Sequence, residues 1–266
     1  MKNNFSCYVF DLDGVLYLGD TQIPHATNAI KDLISAGKNI YFLTNNSGKT
    51  RNAYKQKLET VNGLSVPESS IFTSAYATAL VLKSRGVAGK RVFVVGEAGL
   101  AEELSVVAGL EVITVADSVP EDSIDYVVAG IDRQFTYDKL RFAHGAITRG
   151  HAEFYATNRD STFPMEVGEI PGGGSLVAAI ATATGIEPTT IGKPETHAYE
   201  AILEVAKLAA KDSVMVGDRL DTDIAVGRRS GAATILVLTG VTSRAKAEAA
   251  TGDEKPDFIL NDLSEL

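Results

Sequence analysis

Short apolar runs alternate with helix-patterned stretches along the whole chain, and this alternation restricts the fold more than any other feature. Strands separated by helices pair in parallel, because a helical crossover carries the chain back to the same end of a sheet. The predicted class is therefore α/β with mostly parallel sheets. The first strand is expected at Ser6–Phe10, followed by a helix with Pro24 at its start, Ala29, Ile30, Leu33 and Ile34 on its apolar face, and Gly37 at its end. Further strands are predicted at Ile40–Leu43, Arg91–Val95, Val112–Val115, Tyr126–Ala129, Glu153–Ala156, Ser213–Val216, Thr234–Leu238 and Asp257–Leu260. Helices are predicted over Arg51–Val61, Tyr76–Lys83, the segment from Gly99 through Leu104, Tyr137–Arg149, Leu176–Ala183, Thr196–Lys207 and Asp223–Ser230. Thr157–Glu169 reads as a looser stretch, and Gly172-Gly173-Gly174 as a flexible connection. The middle, residues 76–184, reads as a second α/β unit flanked by 1–75 and 185–266.

A chain of 266 residues can form one large domain or two modest ones. The net charge of −9, with no basic block, argues against nucleic-acid binding through a broad cationic face. No apolar stretch approaches the roughly 20 residues that span a bilayer. Cys7 is the one cysteine, so an internal disulfide is excluded, and its place in the first strand marks it as a small core residue. With no leader-like apolar region after Met1-Lys2-Asn3-Asn4, a cytoplasmic protein is expected, with neither membrane nor nucleic acid as partner.

Four polar clusters follow strands or open helices, where open parallel sheets bind ligands. The first is Asp11 and Asp13, two carboxylates at the end of an apolar strand. In an extended segment residues i and i+2 share a face, so the two would repel each other unless a cation sat between them. A turn at Asp13-Gly14 is the alternative, and the third carboxylate and distal Glu of a calcium loop are missing. The second cluster, Thr44-Asn45-Asn46-Ser47, offers hydroxyl, amide and backbone donors to an oxyanion, or simply forms a turn. The third holds Lys193 between Gly192 and Pro194 ahead of a helix. The fourth, Gly217-Asp218-Arg219-Leu220-Asp221-Thr222-Asp223, carries three carboxylates at a strand-to-helix junction. Helix capping explains Asp221 or Asp223 but explains Asp218, at the strand end, less well. The four histidines have no metal-ligand spacing.

Taken in order, these motifs resemble the haloacid dehalogenase superfamily of phosphohydrolases. Asp11-Leu12-Asp13-Gly14-Val15-Leu16-Tyr17, Phe42-Leu43-Thr44-Asn45-Asn46-Ser47, Ala156-Thr157-Asn158-Arg159-Asp160 and Gly217-Asp218 through Ile224 are similar to its NagD-like branch of nitrophenyl-phosphate, phosphoglycolate and pyridoxal-phosphate phosphatases. The resemblance implies a Rossmann-like core with an inserted α/β cap, and hydrolysis of small phosphomonoesters. It assigns Asp11 as nucleophile, Asp13 as general acid and base, and Lys193 as a fixed charge beside nucleophile and phosphoryl group. Mg²⁺ would be held by Asp11, Asp218 and the Asp13 backbone carbonyl, with Asp223 orienting the site. Thr44, Asn45 and Asn46 would bind phosphate, and the cap loop Asn158, Arg159, Asp160 could meet the leaving group or form an Asx turn. Transfer of the phosphoryl group to another alcohol, and a phosphate-binding module without turnover, are the alternatives. Caps of this branch often mediate dimers, so a homodimer through the cap is a further expectation.

Overall fold

The computed structural model describes residues 5–164 and 168–266. Residues 1–4, on which the expectation of no leader rests, and positions 165–167 of the looser stretch lie outside them. In chain order the elements are β1 (Cys7–Phe10), β2 (Tyr17–Leu18), β3 (Thr21–Gln22), α1 (Ala26–Ser35), β4 (Asn39–Thr44), α2 (Arg51–Asn62), β5 (Ile71–Thr73), α3 (Ser74–Ser84), β6 (Arg91–Val95), α4 (Ala98–Val106), β7 (Glu111–Ile113) and β8 (Tyr126–Ala129). Then follow α5 (Tyr137–Thr148), β9 (Glu153–Ala156), β10 (Thr162–Pro164), β11 (Glu169–Pro171), α6 (Gly173–Thr184), β12 (Thr189–Thr190), α7 (His197–Ala206), β13 (Ser213–Gly217), α8 (Ala225–Arg229), β14 (Ala233–Val237), α9 (Arg244–Ala249) and β15 (Phe258–Leu260).

The chain divides into two compact units. The first comprises Met1–Thr44, Asn52–Phe72 and Lys193–Leu266. Its sheet has the order β15-β14-β13-β1-β4-β5. The pairings from β15 through β4 are parallel, with Phe10 opposite Val216 on one side and Phe42 on the other. Every residue of β1 is buried, as expected of a parallel strand covered on both faces. Tyr8, Phe10 and Phe42 stack along the sheet, and Ala29, Ile30 and Leu33 of α1 pack into the same core. Because β13, β1 and β4 are neighbours running in one direction, Asp218, Asp11 and Thr44 follow or close strands at one common edge.

The second unit comprises Asn45–Arg51 and Thr73–Gly192. Its sheet, β12-β9-β8-β6-β7, is parallel throughout. Phe93 and Phe142, with ring centroids 4.6 Å apart, anchor a core that includes Val127, Phe154, Val177 and Ile180. Both units are α/β with parallel sheets, the Rossmann-like class expected of the chain. The unit edges fall at 73 and 192, where the sequence reading places them at 76 and 184. The reason is local: β12 adds to the second sheet beside β9, and Ser74 opens α3 with its Oγ donating to the Asn45 carbonyl at 2.5 Å.

Three expectations are corrected. The looser stretch contains β10, and its antiparallel partner β11 begins at the last residue of the stretch, Glu169. The glycine run is no flexible connection: α6 begins at Gly173, and a Cβ on Gly174 would lie 2.3 Å from the Arg159 carbonyl oxygen, so the run permits close backbone packing. The helix expected from Asp223 begins earlier, as a π-helical turn over Leu220–Ile224 that runs into α8. The β2–β3 hairpin and α9 have no counterpart in the sequence reading, since each is short and carries little apolar periodicity. Among the described residues no helix is long and apolar enough to cross a membrane.

Candidate active site

β1 ends at Phe10, and the ladder continues for one more bond, from Asp11 N–H to the Val216 carbonyl at 2.9 Å. The chain then turns: the Leu12 carbonyl accepts from Val15 and Leu16, and Gly14 takes φ +85. The regular strand on which the i, i+2 argument rests therefore ends before Asp13. Asp11 meets its partners from elsewhere in the chain. Lys193 Nζ donates to Asp11 Oδ1 at 2.6 Å, to Asp223 Oδ1 at 2.7 Å and to the Leu43 carbonyl at 3.1 Å. All three donors of the ammonium are thus committed in a buried site.

Asp223 uses its other oxygen to accept from the backbone N–H groups of Asp218 and Arg219, at 3.1 and 3.0 Å. Its carboxylate thereby closes the turn after β13 and holds Lys193 at the same time. Carboxylate oxygens of Asp11, Asp218 and Asp223 all lie within 4.8 Å of one another. Three carboxylates face one ammonium, so two negative charges are left over in a buried place.

That excess is visible in the titration behaviour. Burial pushes the Asp11 carboxyl well above the usual carboxylate range; the charges of Asp223 and Asp218 add to this and Lys193 opposes it. Burial, reinforced by Asp223, raises Asp218 to about 7, against the pull of the Val241 N–H, Lys193 and Arg219. Burial acts to lower the Lys193 pKa, but Asp11 and Asp223 outweigh it and keep the ammonium protonated. Asp218 Oδ1 is buried with no hydrogen-bond partner, while Oδ2 accepts from Val241 N–H at 2.8 Å. An orphaned buried carboxylate oxygen beside two more carboxylates fits a hard divalent cation. Asp11 and Asp218 are suited to hold it; Asp223, with both oxygens occupied, is suited to position Lys193.

The remaining predicted residues fall into two groups. Thr44, buried, closes β4 in the first unit. Asn45 and Asn46 belong to the second unit, with Asn158, Arg159 and Asp160. There Asn45 Nδ2 donates to Asp160 Oδ1 at 3.0 Å, and Asn158 Nδ2 donates to the Asn45 carbonyl at 2.7 Å. Asn158 Oδ1 accepts from the Asp160 N–H, which is an Asx turn. Asn46 Oδ1 accepts from Gly48 N–H at 2.8 Å. Arg159 pairs with Glu187 at the surface. Arg219 and Asp221 pair with each other, also at the surface. The sequence reading missed the segment after β14, where Thr239 Oγ1 donates to the Gly14 carbonyl at 2.6 Å and Val241 reaches Asp218. Its single signal in the sequence is a glycine, Gly240, soon after a strand.

Comparison with known proteins finds relatives along nearly the whole chain. A family model described as haloacid dehalogenase-like hydrolase matches residues 8–108, and a second, HAD-hydrolase-like, matches residues 190–266. The chain is 36% identical over 275 residues to the chloroplastic phosphoglycolate phosphatase 1A of Arabidopsis thaliana, covering 97% of this chain and 75% of the relative. It superposes on a p-nitrophenyl phosphatase from Archaeoglobus fulgidus with a TM-score of 0.87 at 38% identity, covering 98% and 97% of the two chains. A glycerol phosphate phosphatase from Mycobacterium tuberculosis, solved in complex with magnesium, gives a TM-score of 0.90 at 33% identity, covering 99% of this chain and 76% of the other.

Proposed function

This chain belongs to the haloacid dehalogenase-like hydrolases, in their NagD-like phosphatase branch, and we propose that as a phosphoric monoester hydrolase it acts on small phosphomonoesters through an aspartyl-phosphate on Asp11. The observation that carries this reading is the Asp11 carboxylate, held 2.6 Å from Lys193 at the carboxyl end of β1, with Asp218 beside it.

An Asp11 carboxylate oxygen attacks phosphorus, forming a new O–P bond as the bond to the ester oxygen breaks. Asp13 gives its proton to the departing alcohol. Asp13 then takes a proton from water as that water attacks phosphorus, and inorganic phosphate leaves with the Asp11 carboxylate restored. Splitting one displacement into two lowers each barrier. Proton transfer of this kind contributes about 10²–10⁴-fold. Lys193 presents a fixed positive charge to the phosphoryl oxygens, and Asp223 keeps it in place. Thr44, with Asn45 and Asn46, supplies hydrogen bonds to those oxygens. The Asp11 and Asp218 side chains and the Asp13 carbonyl would hold Mg²⁺, which would supply the charge that lets an anion approach a phosphate dianion.

The test is phosphate release from a broad phosphomonoester panel, with and without Mg²⁺, in parallel with Asp11→Asn. Metal-dependent turnover that the substitution abolishes is expected. Undiminished turnover by Asp11→Asn refutes the assignment of the nucleophile. Phosphate appearing on an added alcohol, rather than as inorganic phosphate, would make the enzyme a phosphotransferase.

A further inference from the structure

The segment Thr239-Gly240-Val241 leaves β14 and touches the acidic cluster at two points. Thr239 Oγ1 donates to the Gly14 carbonyl at 2.6 Å, and Val241 N–H donates to Asp218 Oδ2 at 2.8 Å. Gly240 lies between them, so close to the carboxylate that a Cβ there would stand 2.0 Å from Asp218 Oδ2 and 2.5 Å from its Cγ. A Cβ on Gly14 would likewise come within 2.6 Å of the same oxygen. Two glycine backbones therefore pack directly on one side chain, closer than any other residue type allows. The result is that Oδ2 is occupied and Oδ1 is left, buried and unpartnered.

From this geometry we infer that Thr239–Val241 is a clamp that presents Asp218 to a divalent cation through one oxygen and ties the Asp13–Gly14 turn to it. The inference rests on the cation site proposed above. A carboxylate free to rotate would offer either or both oxygens. The Val241 N–H removes that freedom before the cation arrives, and donation through one oxygen suits the strict octahedral geometry of Mg²⁺. Thr239 does the same for the turn: by holding the Gly14 carbonyl it fixes the peptide next to the Asp13 carbonyl. These are positioning groups. Partners of this kind typically set metal affinity by about 10–100-fold.

The experiment titrates Mn²⁺, as a divalent probe, into the full-length protein and follows the EPR signal of the free ion. Thr239→Val keeps the shape and removes the donor; Thr239→Ser keeps the donor. Thr239→Val and Gly240→Ala are expected to weaken Mn²⁺ binding by about 10–100-fold, while Thr239→Ser binds as the parent protein does. Parent-level binding by Thr239→Val, or an equal loss in the valine and serine variants, overturns the clamp. If Gly240→Ala fails to fold, the valine and serine pair decides alone. Absence of Mn²⁺ binding by the parent protein would instead overturn the cation site on which the clamp rests.

Discussion

At the scale of single residues, the centre of this protein is a charge problem solved by one lysine. Lys193 is 3% exposed and touches two carboxylates, and the third, Asp218, is left with an oxygen that nothing answers. Removing Lys193 would strand buried charge, which is why so costly a group persists there. The same imbalance predicts a pH dependence. The Asp218 carboxyl is raised to about 7 in the folded state, so the cation-free fold holds its proton where the unfolded chain has lost it. Stability of the cation-free protein is then fullest below the ordinary carboxylate pKa of about 4, and it declines as the pH climbs from there through about 7. A cation competes with that proton. Mg²⁺ should accordingly raise the Tm more at pH 8 than at pH 5, followed by thermal unfolding with and without the ion. Equal shifts at both pH values would mean that Asp218 does not bind it.

At the scale of elements, the parallel strands do the positioning. The register of β1 between β13 and β4 brings Asp218, Asp11 and Thr44 to one edge although they are scattered along the sequence. In the second unit the loop after β9 folds back on Asn45, so Asn158 and Asp160 are held by that contact. The start of α6 is packed against this loop. Gly174→Ala would normally gain helix propensity of about 1 kcal/mol. Here its Cβ would meet the Arg159 carbonyl oxygen at 2.3 Å, so the substitution should destabilise by about 1–3 kcal/mol instead. Urea denaturation measures this, and a stability gain would show that the loop yields.

At the scale of the whole molecule, the sequence carried the strand core and the order of the polar motifs. Arg91–Val95, Tyr126–Ala129 and Glu153–Ala156 have the spans expected of them, because the buried part of each parallel strand is a continuous apolar run. What periodicity does not reach is contact between distant positions. The Thr239 hydroxyl meets a carbonyl 225 positions away, and a lone Thr-Gly pair gives no sign of it. The β2–β3 hairpin escapes for a different reason: two-residue strands carry no pattern. The turn after Asp11 is legible only as the Asp13-Gly14 alternative, because an apolar run cannot announce where its ladder stops. The proposed chemistry requires Asp11 to become phosphorylated. Rapid quenching during turnover with borohydride, which reduces an acyl phosphate to the alcohol, followed by peptide mass analysis, tests this directly. Reduction confined to residue 11, and absent without substrate, is the predicted result. Turnover with an unmodified Asp11, or with the modification on Asp13, would contradict it.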